Sequence, residues 1–153
     1  MKDQTVVLKK VSGKDDVEDL RKIRNECREF MTRKTTEISK IEQDKWYSSI
    51  DESTNVYLLW LVEFGSIVHP IGYGLIRKEN GCSLISGGLL ESYRGNGYGK
   101  TLFKYIMDNV DKDSGVRLEV LKTNTKAFSI YNNLGFRVIE DDGRVITMEY
   151  KVD

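Results

Sequence analysis

Hydrophobic residues along the chain recur with two periods, and the switches between them outline the elements. Thr5 to Val11 is apolar and basic with β-branched residues, the pattern of a first strand. Ser12 to Asp15 interrupts it. Val17, Leu20, Ile23, Cys27, Phe30 and Met31 then follow helical spacing, and the D-x-x-E pair Asp15 and Glu18 marks the expected helix start. Thr32 to Thr36 reads as a polar connection. Ser39-Lys40-Ile41-Glu42 is a capping box, so a second helix is expected from Ser39, with Ile41, Trp46, Tyr47 and Ile50 as its apolar face. Asn55 to Phe64 is almost continuously apolar, which suits a strand buried on both faces. Gly65-Ser66 turns the chain, and Pro70 marks the start or the edge of the next strand, Ile71 to Arg77. Gly72 and Gly74 share one face there, where a neighbour or ligand can come close. Glu79-Asn80-Gly81 signals a hairpin into a strand from Cys82 to Leu90. Tyr98, Leu102, Phe103, Ile106, Met107 and Val110 form one face of a third helix. Asp111 to Gly115 breaks the pattern before a strand at Val116 to Leu121. Asn124 caps a short helix to about Asn133, which Gly135 ends. Phe136 to Glu140 and Arg144 to Val152 make a terminal hairpin around Asp142-Gly143. The order β-α-α-β-β-β-α-β-α-β-β is mixed α/β with an antiparallel meander at its centre.

The chain has 153 residues, which suits one domain over 1–153 with a core that needs no staples. Lys+Arg and Asp+Glu balance at 24 each, so nothing favours nucleic acid or an anionic membrane as a partner. No apolar stretch approaches the ~20 residues of a membrane span. The residues after Met1 lack the apolar core of a signal peptide, so a cytoplasmic protein is expected. Cys27 and Cys82 make no metal or redox spacing and are expected to be free thiols.

The stretch from Leu84 to Met107 carries the candidate chemistry. A short apolar run is followed by Glu91-Ser92-Tyr93-Arg94-Gly95-Asn96-Gly97-Tyr98-Gly99-Lys100 and then by the third helix. Three glycines in five residues let the backbone turn sharply and approach a ligand. Backbone N–H groups at a helix start beyond a strand end bind anions, most often phosphate. An ordinary glycine-rich turn is the plain alternative. The P-loop register is missing, although Gly99-Lys100-Thr101 imitates its end, and Gly95 to Gly99 is one residue short of the dinucleotide fingerprint.

Arg94-Gly95-Asn96-Gly97-Tyr98-Gly99 resembles the acetyl-CoA loop of the GCN5-related N-acetyltransferases, [RQ]-x-x-G-x-[GA], at every fixed position. A second block, Leu118-Glu119-Val120, Asn124, Ala127 and Tyr131 to Phe136, resembles that family's L-E-V-x-x-x-N-x-x-A-x-x-x-Y-x-x-x-G-F. The likeness covers Asn55 to the C-terminus well and the first third loosely. In the family the helical pair of that first third lies beside the acceptor site, and Arg24-Asn25 and Trp46 resemble members that acetylate sugar amines or protein amino termini. Core or groove wall is the alternative for Trp46. The likeness implies a centrally antiparallel sheet flanked by helices, in which the strand before the loop and Val116–Leu121 lie parallel and splay apart to admit acetyl-CoA. It also implies a reaction, transfer of an acetyl group to an amine.

On that resemblance, the pyrophosphate meets Gly95 to Gly99, with Arg94 offering mainly its backbone and Lys100 opening the helix. Leu89 and Leu90 pair with the pantetheine arm and stabilise the oxyanion. Asn124 bonds the cofactor or caps its helix. Tyr131 protonates the departing thiolate. The family's carboxylate on the strand before the loop is missing here. Glu119, twelve residues before Tyr131 as in the ribosomal-protein alanine acetyltransferases, is the candidate base, with Glu91, Glu63, Tyr73 and His69 behind it. A structural glutamate is the alternative for Glu119, and an aromatic packed under the helix for Tyr131. The acceptor is expected to be a primary amine on an amino sugar, another small molecule or a protein, and the chain a monomer or homodimer. A CoA-binding regulatory or degenerate domain without turnover, or transfer of another acyl group, are the competing readings.

Overall fold

The computed structural model describes residues 4–33 and 36–150. Seven strands form one sheet in the order β1-β2-β3-β4-β5-β7-β6. They are β1 Gln4–Lys10, β2 Thr54–Glu63, β3 Ser66–Glu79, β4 Cys82–Leu89, β5 Val116–Leu121, β6 Phe136–Asp141 and β7 Val145–Tyr150. The helices are α1 Gly13–Glu26, α2 Lys40–Ser49, α3 Tyr98–Asp108 and α4 Thr125–Asn133. Every strand pair is antiparallel except β4 with β5.

The alternation of side chains divides the core between the two faces of the sheet. On one face α3 and α4 bury Leu102, Phe103, Ile106 and Tyr131 against Ile85, Leu89, Leu118 and Phe136. On the other face α1 buries Val17, Leu20 and Ile23, and Cys27 just after it, against Val56, Leu58 and Tyr73, with Trp46 and Tyr47 of α2 and the following Ile50 alongside. The β2 strand feeds both layers, since Leu58 belongs to the α1 side and Leu59 to the α3 side. Gly74 is the close approach on β3: a Cβ there would lie 2.8 Å from the Ile106 side chain of α3. Asn80 and Gly81 both take positive φ, the turn that matches the twist of the β3–β4 hairpin.

Several expectations shift. The first helix starts at Gly13, ahead of the Asp15/Glu18 pair, because Ser12 donates its backbone N–H to Asp16 at 2.9 Å. It also ends sooner, in a 3-10 turn at Arg28–Phe30, which leaves Phe30 exposed. Ile41 is 69% exposed, and the side chain that α2 buries in its place is Gln43 at 0%. Of the two places expected for Pro70, a strand start or an edge, it takes the edge. It pairs with Trp60 inside β3, next to two register shifts, before β3 meets β4 at Gly72. Leu90 lies outside β4. Of the polar connection over 32–36, residues 34 and 35 lie outside the described residues, as do residues 151–153 of the terminal hairpin. No described helix is long and apolar enough to cross a membrane.

Candidate active site

The loop between β4 and α3 is a row of amides. Gly95 and Gly97 sit at φ 78° and 87°, the left-handed region, and a Cβ on either would meet nothing within 4 Å. The glycines there meet a conformational demand, and the space around them is open. Thr101 is the first residue of the helix whose N–H finds a backbone acceptor, Gly97 O at 3.3 Å. Among the described residues the six N–H groups from Gly95 to Lys100 have none. Arg94 does more than lend its backbone. Its Nε donates to Leu89 O at 3.0 Å, its Nη2 donates to Glu26 O at 3.1 Å, and its guanidinium stacks on Phe30 at 4.9 Å. The side chain straps the loop to the ends of β4 and α1.

Beside this loop the sheet opens. β4 and β5 pair only from Ser83–Ile85 to Val116–Leu118, and beyond that they part. Leu90 donates its N–H to Ile71 O at 2.8 Å, so Leu90 faces β3 and is not available in the gap. That register turns the N–H and C=O of Leu89 the other way, toward β5. The expected pair of backbone donors is therefore one, Leu89. Its carbonyl already accepts from Arg94 Nε and from Cys27 Sγ, the latter at 3.3 Å.

Glu119 and Tyr131 approach from opposite faces. Leu118 and Val120 point to the α3 side, so alternation sends Glu119 to the α1 side. There it accepts from Thr32 Oγ1 at 2.9 Å, Arg33 Nε at 2.9 Å and Arg33 Nη2 at 2.8 Å. Arg33 also bridges to Glu79 at 3.0 Å. The Arg33 guanidinium holds the Glu119 carboxyl below the usual range, against the opposing effect of partial burial, with Thr32 adding to it. Glu119 is thus ionised and engaged, which makes it a weaker base than a free carboxylate. Tyr131 lies edge-on to Phe103 at 4.8 Å and to Phe136 at 6.3 Å. It is both the packed aromatic and the candidate acid: burial, then the neighbouring Tyr73, raise its pKa. Asn124 caps α4 by accepting from Ala127 N–H at 3.3 Å.

A cavity of about 730 Å³ opens between the end of α1 and the connections after β5 and β6. Asn25, Glu26, Arg28, Leu121, Lys122 and Arg144 are among its walls. Deeper under α1 lies a polar group that sequence reading passed over or ranked low. Tyr73 is fully covered, and burial, reinforced by Cys27, pushes its pKa up to about 12 while Arg24 works the other way. Arg24 donates to Gln43 Oε1 at 3.2 Å and lies over the Trp46 ring at 5.2 Å.

The sequence model of the Acetyltransferase (GNAT) family matches residues 17–136. The chain belongs to that family. It is the family to which the Arg94–Gly99 loop and the Leu118–Phe136 block point, and the matched span contains both. No curated protein sequence matches the chain. Solved structures do share its fold. A domain from Methanocaldococcus jannaschii superposes with a TM-score of 0.82 at 15% identity, covering 98% of this chain and 100% of that one. Campylobacter jejuni N-acetyltransferase PseH in complex with acetyl coenzyme A gives 0.71 at 17% identity, over 97% and 100%. Spermidine N-acetyltransferase from Vibrio cholerae in complex with CoA and spermine gives 0.75 at 17% identity, over 94% of both chains. The mixed seven-stranded sheet with one parallel, splayed pair is the GNAT acetyltransferase fold.

The structure gathers the loop, Leu89 and Tyr131 around the β4–β5 gap, and sets Glu119 on the α1 face beside it. It leaves His69 and Glu63 apart from that site. His69 Nε2 instead meets Tyr93 Oη at 2.9 Å. Arg24 and Trp46 carried only a loose family likeness in the sequence, and Gln43, Arg33 and Cys27 carried no local signal. A helical arginine and a connecting-loop arginine read as solvated charge until the tertiary fold covers them.

Proposed function

We propose that this acetyltransferase-family protein moves the acetyl group of acetyl-CoA onto a primary amine. The observation that carries the reading is the row of unengaged amides from Gly95 to Lys100 at the mouth of the β4–β5 gap. Phosphate oxygens are the natural acceptors for such a row, and the positive end of the α3 dipole adds to it. The open space at Gly95 and Gly97 fits a bulky diphosphate, and the exposed Lys100 adds a cation on the first turn. An extended pantetheine arm then lies along the free edge of β4 as an added strand does. The complexes of PseH with acetyl coenzyme A and of the spermidine enzyme with CoA support this assignment through the shared fold.

The thioester supplies the acetyl group, and the residues of the chain supply the rest. Leu89 N–H, held by the sheet and turned to the gap, is the donor suited to negative charge on the reacting carbonyl oxygen. The attacking amine has to be neutral, whereas an alkylammonium with a pKa of about 10 is protonated at pH 7. Glu119 is the carboxylate placed to draw in the ammonium and accept its proton once Arg33 moves aside. Tyr131 keeps its proton through the neutral range because burial raises its pKa, so it is ready to donate to the departing sulfur. Asn124 Oδ1 is committed to the helix cap, which leaves its Nδ2 for the cofactor.

A domain that holds CoA without turnover is the second reading, favoured by the engagement of Glu119 with Arg33. Two measurements separate the readings. Gly97→Asp brings a carboxylate into the amide row where a Cβ has room but φ 87° strains any side chain. Calorimetry is therefore expected to show acetyl-CoA binding lost in Gly97→Asp and largely kept in the isosteric Gly97→Asn, both with native circular dichroism. Unchanged affinity overturns the loop assignment. Thiol release from acetyl-CoA is expected to be stimulated by amines. Tight binding without amine stimulation selects the binding domain.

A further inference from the structure

Under α1 the donors outnumber the acceptors. Gln43 is fully buried, and its Nε2 has no partner. Arg77, on the same face of the sheet through the β3 alternation with Tyr73, has a buried Nε without a partner. Arg24, half-buried, bonds to Gln43 and feels the charge of Arg77. Burial lowers its pKa, yet no carboxylate pairs with it among the described residues; its contacts are Gln43 Oε1, the Trp46 ring and the Tyr73 hydroxyl. The other cations near the groove already have carboxylates: Arg33 is held by Glu79 and Glu119, and Arg77 pairs with Glu79 through Nη2 at 3.2 Å, which leaves only its Nε unanswered. A half-buried guanidinium with no carboxylate, beside the unanswered N–H donors of the fully buried Gln43 and of Arg77 Nε, is costly unless an oxygen-rich group of opposite charge completes it. The forked, planar donor pattern of Arg with an adjacent amide N–H matches a carboxylate.

The position relates this cluster to the chemistry. Cys27, one turn along α1 from Arg24, bonds to Leu89 O at the edge of the β4–β5 gap. Tyr73 lies between them, opposite Gly88 of β4. One helical turn rises about 5 Å, which sets the scale between the acetyl end and the cationic end of the groove.

Building on the acetyltransferase reading above, we propose that the acceptor is an amine that carries a carboxylate a few carbons away, and that Arg24 and Gln43, with Arg77 behind them, bind that carboxylate while the amine faces the thioester. Arg24 then decides acceptor specificity and Trp46 forms the wall on which its guanidinium is held.

The test compares β-alanine and γ-aminobutyrate with their amides, which keep the amine and the chain length and replace the carboxylate with a neutral group of similar size, with kcat/KM referred to the free-amine concentration. With acetyl-CoA, kcat/KM for at least one acid is expected to exceed that of its amide by about tenfold or more, the scale of a charged hydrogen-bonded pair. Arg24→Gln is expected to bring that ratio close to one. A second readout needs no turnover: tryptophan fluorescence of the CoA-loaded protein, titrated with each compound, should saturate with the acid and not the amide. Arg24→Gln and Trp46→Phe should each abolish that signal. Amine-stimulated thiol release at equal rates for acid and amide overturns the carboxylate assignment and leaves the acetyltransferase reading standing. Saturable binding of the acid without thiol release does the reverse. Absence of any acid-specific fluorescence change overturns the carboxylate site whatever the kinetics.

Discussion

Arg33 and Glu119 hold each other by two hydrogen bonds, and the pair governs the proton that must leave the amine. Removing the guanidinium takes away the main cause of the lowered Glu119 pKa, while partial burial, which raises it, stays. Arg33→Gln is therefore expected to raise that pKa, so the acid limb of the kcat/KM profile moves to higher pH. In Glu119→Gln the limb set by this group should vanish. A profile indifferent to both changes removes Glu119 from catalysis and leaves it a structural partner of Arg33. At this scale the sequence was legible where function is local. The glycines of the loop announce their φ values, and Tyr131 and Asn124 stand at fixed offsets within one strand-helix unit. Of the groups from α1, α2 and the 32–33 connection, Arg24 and Trp46 were legible only as a loose likeness, and the partners of all of them were not. Arg24 meets Gln43, and Arg33 meets Glu119 some 86 positions away, only through packing.

Among the elements, α2 shows most clearly how a helix start is written and a buried face is not. Ser39 Oγ accepts from Glu42 N–H at 3.1 Å, and Glu42 Oε1 accepts from Ser39 N–H at 3.2 Å, the reciprocal cap expected from the four-residue pattern. Losing such a cap costs about 1 kcal/mol. Ser39→Ala is accordingly expected to lower the midpoint of thermal unfolding by roughly 2–4 °C in a chain of this length, read by circular dichroism. A loss within the error of the melt refutes the cap's contribution. The face of α2 was misjudged because Ile41 outranks Gln43 on any hydrophobic scale, yet Gln43 points to α1, where Arg24 supplies a donor to its amide oxygen. The start of α1 was displaced for a similar reason: Asp16 reaches back to Ser12, a contact that the Asp15/Glu18 pattern hides. Pro70 is tolerated inside β3 because β4 begins to pair only at Gly72, which leaves that stretch with an open edge.

Across the whole molecule, the order of strands came from the family likeness, since periodicity alone cannot say that β4 and β5 lie side by side. The two-layer core was legible in part: the helix α3 face pointed to one layer, and the continuous apolar run of β2 pointed to burial on both. The sheet carries a buried phenol on each side of the β4–β5 gap, Tyr73 in the α1 layer and Tyr131 in the α3 layer. Both pKa values are raised, mainly by burial, and that of Tyr73 reaches about 12. An unfolded tyrosine ionises near pH 10. The folded state then holds its phenolic protons where the unfolded chain has begun to lose them. The stability from this source is full below about pH 10 and is lost as the pH rises through the folded values. For Tyr73 alone the difference at about pH 11 is on the order of 1.4 kcal/mol. Urea unfolding at about pH 8 and about pH 11 is expected to show the wild-type protein losing more stability between the two than Tyr73→Phe does, by roughly that amount. If the two proteins lose stability in parallel, the Tyr73 hydroxyl titrates as freely in the folded state as in the unfolded one. The layer under α1 that packs over Tyr73 would then have to be open to water.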